Sequence, residues 1–85
     1  MSVINVRVKF VAGELTPGLE SGEYSICEGS TIRDLISECE TACGAAVPPG
    51  NFKLMYPLLN GKPAQLDTAI AKSATVHICR VVMGG

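Results

Sequence analysis

Thr75-Val76-His77-Ile78-Cys79-Arg80-Val81-Val82-Met83-Gly84-Gly85 closes the sequence. Val76, Ile78, Val81 and Val82 are β-branched, which suits a pleated surface, so residues 75–82 are expected to form a strand. Its side chains should alternate, Val76 and Ile78 toward a core, His77, Cys79 and Val81 toward solvent. Two glycines follow, and a free carboxylate is expected after them. Glycine loses more backbone entropy on ordering than any other residue, so Gly84-Gly85 anchors a terminus poorly. It makes instead a thin tail, with nothing projecting from the backbone, that can enter a narrow slot in another protein. The expected organisation is one domain over residues 1–82 and a flexible tail over 83–85.

A closing strand of this kind needs a sheet to lie in. Val3 to Val11 supplies one partner: Ile4, Val6, Val8 and Phe10 alternate with Asn5, Arg7 and Lys9, the period of a strand with one buried face. Residues 12–22 hold three glycines and a proline and are expected to form the loop of a wide hairpin. Glu23 to Glu28 alternates again, with Tyr24 and Ile26 inward, and should pair antiparallel with the first strand. Thr31 then reads as a helix N-cap, with Asp34 in the first turn, where the helix dipole favours an acid. Ile32, Leu35, Ile36, Cys39 and Cys43 form one apolar helical stripe, with Glu38 and Glu40 pointing elsewhere, and Gly44 ends the helix. Residues 45–51 form a connector. Phe52 to Tyr56 reads as a third strand, which Pro57 marks as an edge or an end. Asn60-Gly61 is a tight turn, and residues 63–74 hold no more than a single turn near Asp67 to Ile70. If the last strand lies beside the first, the two are parallel and central.

The bulk properties suit one small globular domain. The chain has 85 residues, 47% of them hydrophobic and 18% charged. No apolar run approaches the ~18 residues of a membrane-spanning helix. The first residues lack a basic stretch followed by an apolar one, so no secretion signal is expected and the location should be cytoplasmic. A net charge of −1 gives no reason to expect nucleic acid or an anionic membrane as partner. Residues 13–40 nevertheless carry seven acids against Arg33 alone, an acidic flank able to orient the domain against a partner.

The element order, the helix entry Gly29-Ser30-Thr31-Ile32-Arg33-Asp34-Leu35, the turn Leu59-Asn60-Gly61-Lys62 and the ending Val81-Val82-Met83-Gly84-Gly85 resemble the MoaD/ThiS family of sulfur carriers. That family comprises the small subunit of molybdopterin synthase and the thiamin-pathway carrier. The resemblance implies an α+β, ubiquitin-like β-grasp fold, a mixed sheet of four to five strands with one helix across one face. It also implies a carrier whose terminal carboxylate an ATP-dependent activating enzyme adenylates and converts to a thiocarboxylate, which passes sulfur to a cofactor precursor. On that resemblance Gly85 carries the sulfur, and Gly84 and Met83 give it access. His77, Cys79 and Val81 form the surface the activating enzyme grips, and a synthase large subunit is a second implied partner. Lys72-Ser73-Ala74 stands where members often place an acid-glycine-acid turn. Cys79-Arg80-Val81 stands where molybdopterin-type members frequently carry aromatics or prolines. Chain length favours the molybdopterin branch over the thiamin one.

The chain itself holds no G-x-x-x-x-G-K-[ST] and no G-x-G-x-x-G. ATP would therefore bind at the partner's site, and the chain reads as a carrier with no catalytic residues and no bound cofactor. Two rivals come from other classes. A plant-type ferredoxin needs C-x₄-C-x₂-C and a distant cysteine, whereas Cys27, Cys39, Cys43 and Cys79 offer only C-x₃-C within a helix. A zinc site of Cys39, Cys43, His77 and Cys79 lacks the short loop spacings on both halves. Cys39 and Cys43 read instead as small buried hydrophobes, so no metal is expected. The other rival is a β-grasp interaction domain that carries nothing.

Overall fold

The computed structural model describes residues 2–82, and the expected tail Met83-Gly84-Gly85 lies outside the described residues. The alternating segment at the start forms β1 (Val3–Phe10), and β2 (Gly22–Cys27) pairs with it antiparallel, Val6 opposite Tyr24. The helix α1 (Ile32–Cys43) follows. β3 (Met55–Leu59) turns tightly into the two-residue β4 (Lys62–Pro63), and β5 (Ala74–Arg80) closes the sheet. The strand order is β2-β1-β5-β3-β4. β5 is therefore central, parallel to β1 and antiparallel to β3. No described helix is long and apolar enough to cross a membrane.

Each end of α1 is settled locally. The Thr31 hydroxyl accepts from the Asp34 N–H at 3.1 Å and the Asp34 carboxylate accepts from the Thr31 N–H at 3.0 Å, a reciprocal capping box. A strap from the segment after β4 meets the remaining donors: Ile32 and Arg33 give their N–H groups to the carbonyls of Thr68 and Leu66. Helices leave their first N–H groups unpaired, and here the strap satisfies two of them. At the other end Gly44 takes a left-handed conformation (φ 65°) and its N–H returns to the Glu40 carbonyl. A side chain there would be strained, which is why glycine stops the helix.

The stripe of α1 covers one face of the sheet. Ile32, Leu35, Ile36 and Cys39 pack in one cluster with Val6, Val8, Ile26, Val76 and Ile78, all at most 7% exposed. Full burial of such a side chain contributes about 1.5–3 kcal/mol, so this face carries the fold. Cys43, the last residue of the expected stripe, is half-buried at its margin. There its sulfur meets the Tyr24 hydroxyl at 3.3 Å and the Glu20 N–H at 3.4 Å.

Three expectations need correction. Phe52 to Leu54 is not strand; it belongs to a 3₁₀ helix over Pro49–Leu54, started by Pro48-Pro49. Phe52 instead lies under Arg33, whose guanidinium is 4.1 Å from the ring centroid. The strand begins at Met55 and runs through Pro57, which is neither its end nor on the outermost strand. Val81 donates to the Leu54 carbonyl and Asn60 to that of Thr75, so the even-numbered residues of β3 make the bonds to β5. The missing donor of Pro57 thus faces short β4, on which side its carbonyl accepts from Ala64. The closing strand also ends earlier than expected, at Arg80, although Val81 still bonds to Leu54.

Candidate functional site

Every second residue of the three middle strands points away from α1. In register, Lys9, His77 and Leu58 form one row across β1, β5 and β3, and Cys79 stands opposite Tyr56 in the next. Asn5, Arg7, Lys9, Ser25 and Tyr56 on this face are exposed, so it is open to solvent. His77 and Cys79 are half-buried, because a strand flanks them on each side. Val76 and Ile78 between them are 0% and 1% exposed. The sequence reading placed these four side chains on the two faces where the structure has them.

The end of this face nearest the departing chain is apolar. Val11 donates to the Ile78 carbonyl at 3.0 Å, which sets it beside Cys79. Leu54 accepts from Val81 at 2.8 Å. Val11, Leu54 and Tyr56 are 55%, 41% and 39% exposed, and Val82, the last described residue, is 86% exposed. Val81 is half-buried. Isolated exposed apolar residues are ordinary, but several adjoining ones on one open face make that face a candidate interaction surface.

The polar groups here are few. Lys9 stands free at the side of His77, and no salt bridge among the described residues includes it. His77 Nδ1 is shielded from solvent and has no hydrogen-bond partner among the described residues. A buried unsatisfied nitrogen is costly, and it sits at the middle of the open face. Arg80 turns away to Glu14 at 3.0 Å. The Glu14 carboxyl is held below its usual range first by a backbone hydrogen bond, then by Arg80.

The residues that could hold a metal do not converge. Cys39 is buried between helix and sheet, whereas Cys79 and His77 lie on the opposite face. Among the described residues no three potential ligands cluster. Burial, and then the charges of Cys43 and Glu38, push the Cys39 thiol up to about 12, which suits a packing role and not a nucleophile. Met83, Gly84 and Gly85, the expected reactive tail, lie outside the described residues. Sequence reading placed Lys9 on the outer side of β1 but missed Val11, Leu54, Tyr56 and Leu58 as parts of this face. The alternation Met55, Pro57, Leu59 inward against Tyr56 and Leu58 outward was the available signal, obscured by starting the strand at Phe52.

No protein-family profile and no curated protein sequence matches the chain. Solved structures do. A Pyrococcus furiosus protein provisionally named molybdopterin converting factor, subunit 1, superposes with a TM-score of 0.64 at 22% identity, over 93% of this chain and 99% of that one. SAMP1 from Haloferax volcanii gives 0.62 at 16% identity, over 99% of this chain and 100% of that one. A de novo design based on ubiquitin gives 0.61 at 15% identity, over 96% and 93%. The resemblance to small carriers of the MoaD/ThiS kind is thus met in the three-dimensional structure, at the level of fold. Helix, central parallel strand pair and five-stranded mixed sheet together are the ubiquitin-like β-grasp.

Proposed function

We propose that this chain is a sulfur carrier of the molybdopterin type, acting through its C-terminal Gly85. A carboxylate is a poor electrophile. Attack of its oxygen on the α-phosphorus of ATP, with pyrophosphate leaving, converts it to an acyl-adenylate with a good leaving group. Sulfide-level sulfur from a donor attacks the acyl carbon and displaces AMP, leaving a thiocarboxylate. That sulfur then attacks a cofactor precursor, and water cleaves the acyl–sulfur bond and restores the carboxylate. ATP binds at the activating enzyme, so the carrier's own task is to be gripped and to present its end. A synthase large subunit is the expected second partner.

The observation that carries this reading is the position of β5. It is the central strand, it is held on both sides, and the residue that follows its last rung is bordered by the exposed patch of Val11, Leu54 and Tyr56. An enzyme that covers His77, Cys79 and Val81 therefore holds β5 in one orientation up to the residues that precede the glycines. Orientation matters, since a misplacement of ~1 Å can cost about a hundredfold in rate.

The test is ATP–pyrophosphate exchange with the cognate activating enzyme, followed by intact-mass detection of sulfur in place of one carboxylate oxygen. The chain lacking Gly85 should lose exchange, and His77→Glu should raise the KM for the carrier while leaving its melting temperature unchanged. Equal adenylation without Gly85 would sink the proposal. The second reading is a β-grasp interaction domain that carries nothing. The apolar outer face favours it because that surface works without a tail, and partner binding unaffected by loss of Gly84 and Gly85 would support it.

A further inference from the structure

The two edges of the sheet are built differently. At one, β4, Pro63 lacks a donor and Lys62 adds a charge, devices that prevent another strand from pairing there. The other edge, β2, has no proline and no lysine, and pairs with β1 in unbroken register. Glu28 donates to the Ser2 carbonyl at 2.8 Å, one rung beyond the pair Val3 and Cys27. Hydrogen-bonded rungs alternate along an antiparallel ladder, so Tyr24 and Ile26 turn their backbone groups to β1. Glu23 and Ser25 turn theirs off the sheet. Among the described residues neither makes a backbone hydrogen bond on that side.

Their side chains are drawn the other way. Glu23 is tied to Arg7 at 2.9 Å and the Ser25 hydroxyl donates to Asn5 Oδ1 at 2.9 Å, both across to β1. That leaves the backbone edge clear. The charge around it has one sign: Glu20, Glu23 and Glu28 are exposed, and no lysine or arginine occurs between Lys9 and Arg33. Arg7 offsets only one of the three acids.

We infer that the β2 edge accepts an extended, lysine- or arginine-bearing segment of a partner protein as an added strand. Its backbone pairs with Glu23 and Ser25, and its cations meet Glu20 and Glu28. A second copy of this chain is the wrong occupant, because edge-to-edge pairing sets the same acids against each other. β1 separates this edge from β5, so the surface is distinct from the one that borders the outgoing chain. The inference does not rest on sulfur carriage.

The experiment uses the full chain labelled with ¹⁵N and two capped peptides, one alternating valine with lysine and one alternating valine with glutamate. The lysine peptide should bind, slow amide exchange at Glu23 and Ser25, and weaken as salt rises. Ser25→Pro removes an outward donor and no rung to β1, and should reduce affinity about tenfold or more. The double variant Glu20→Lys, Glu28→Lys leaves every backbone group in place and should reverse the preference between the peptides. Equal binding of the two peptides, no binding of the lysine peptide, or shifts confined to His77, Cys79 and Tyr56 would overturn the assignment. So would sedimentation showing a dimer that Ser25→Pro dissolves, since the occupant would then be a second copy.

Discussion

The two faces of the central strands carry alternate residues of the same sequence and do different work. Toward α1, the aliphatic side chains of Val6, Val8, Val76 and Ile78 are at most 1% exposed. On the reverse side, one residue along, stand Arg7, Lys9, His77 and Cys79. Side chains of a strand point alternately to the two faces, so a substitution at one position and its neighbour should show in different experiments. Inner changes should move stability, and outer ones binding.

The largest expected effect is Leu35→Ala, which empties the centre of the inner layer, where Leu35 is 0% exposed. It should cost about 2–5 kcal/mol, a large part of the ~5–15 kcal/mol that holds a typical domain together. Tyr56→Ala on the outer face is the control and should cost about 0.5–1 kcal/mol or less. Denaturant midpoints compare the two directly, and an equal loss from both would erase the distinction between the faces.

Thiol labelling sharpens the same contrast chemically. Cys27 is exposed and Cys79 half-buried on the outer face, while Cys39 is enclosed and its thiol raised. Cys27 and Cys79 should react with iodoacetamide in the folded protein. Cys39 should lag by a factor on the order of a hundred or more, since it waits for the core to open. Mass mapping of partly labelled protein reads the order.

The smallest effect tests the helix start that holds the inner layer in place. Hydrogen bonding from the Thr31 N–H, and then from its hydroxyl, holds the Asp34 carboxyl below its usual value near 3.8. A depressed carboxyl stabilises the fold above its unfolded pKa, and that stabilisation is lost as pH falls through the folded value. Asp34→Asn should therefore lower stability slightly at neutral pH and flatten the decline below about pH 4. Thermal melts at pH 7 and pH 2.5 check it, and curves that stay parallel would remove the capping box from the account.

Where local chemistry decides, the structure was legible in the sequence. Strict alternation in Val3 to Phe10, the Thr31–Asp34 pair and Asn60-Gly61 each specify one geometry: Asn60 and Gly61 take φ of 52° and 82°, as a tight hairpin requires. The two-faced reading of Val76 to Cys79 belongs to the same group. Tertiary choices were not legible. Phe52 and Leu54 have strand character, yet Pro48-Pro49 starts a 3₁₀ helix and Arg33, distant in the chain, claims the Phe52 ring. Leu15 and Thr16 look like loop and are 6% and 1% exposed, with the Leu15 carbonyl taken by Asn51. β4 is too short to show any period. Of the candidate face, the β5 residues could be found from the sequence, and the β3 residues only once their register to β5 was known.

The parallel pairing of β1 with β5 also bears on how the chain comes to be folded. Val8 must find Val76, and nearly the whole domain lies between them in sequence. The β1–β2 hairpin and α1 are made early during synthesis, but the gap beside β1 stays open until the last strand emerges. Until then Val6 and Val8 present an unpaired edge, and chaperones or neighbouring nascent chains have access to it. Distant pairing of this kind slows folding relative to a helical bundle of equal size. Closure of the domain thus reports that β5 has been delivered, so truncated chains lacking it should not compete for a partner that recognises the finished sheet.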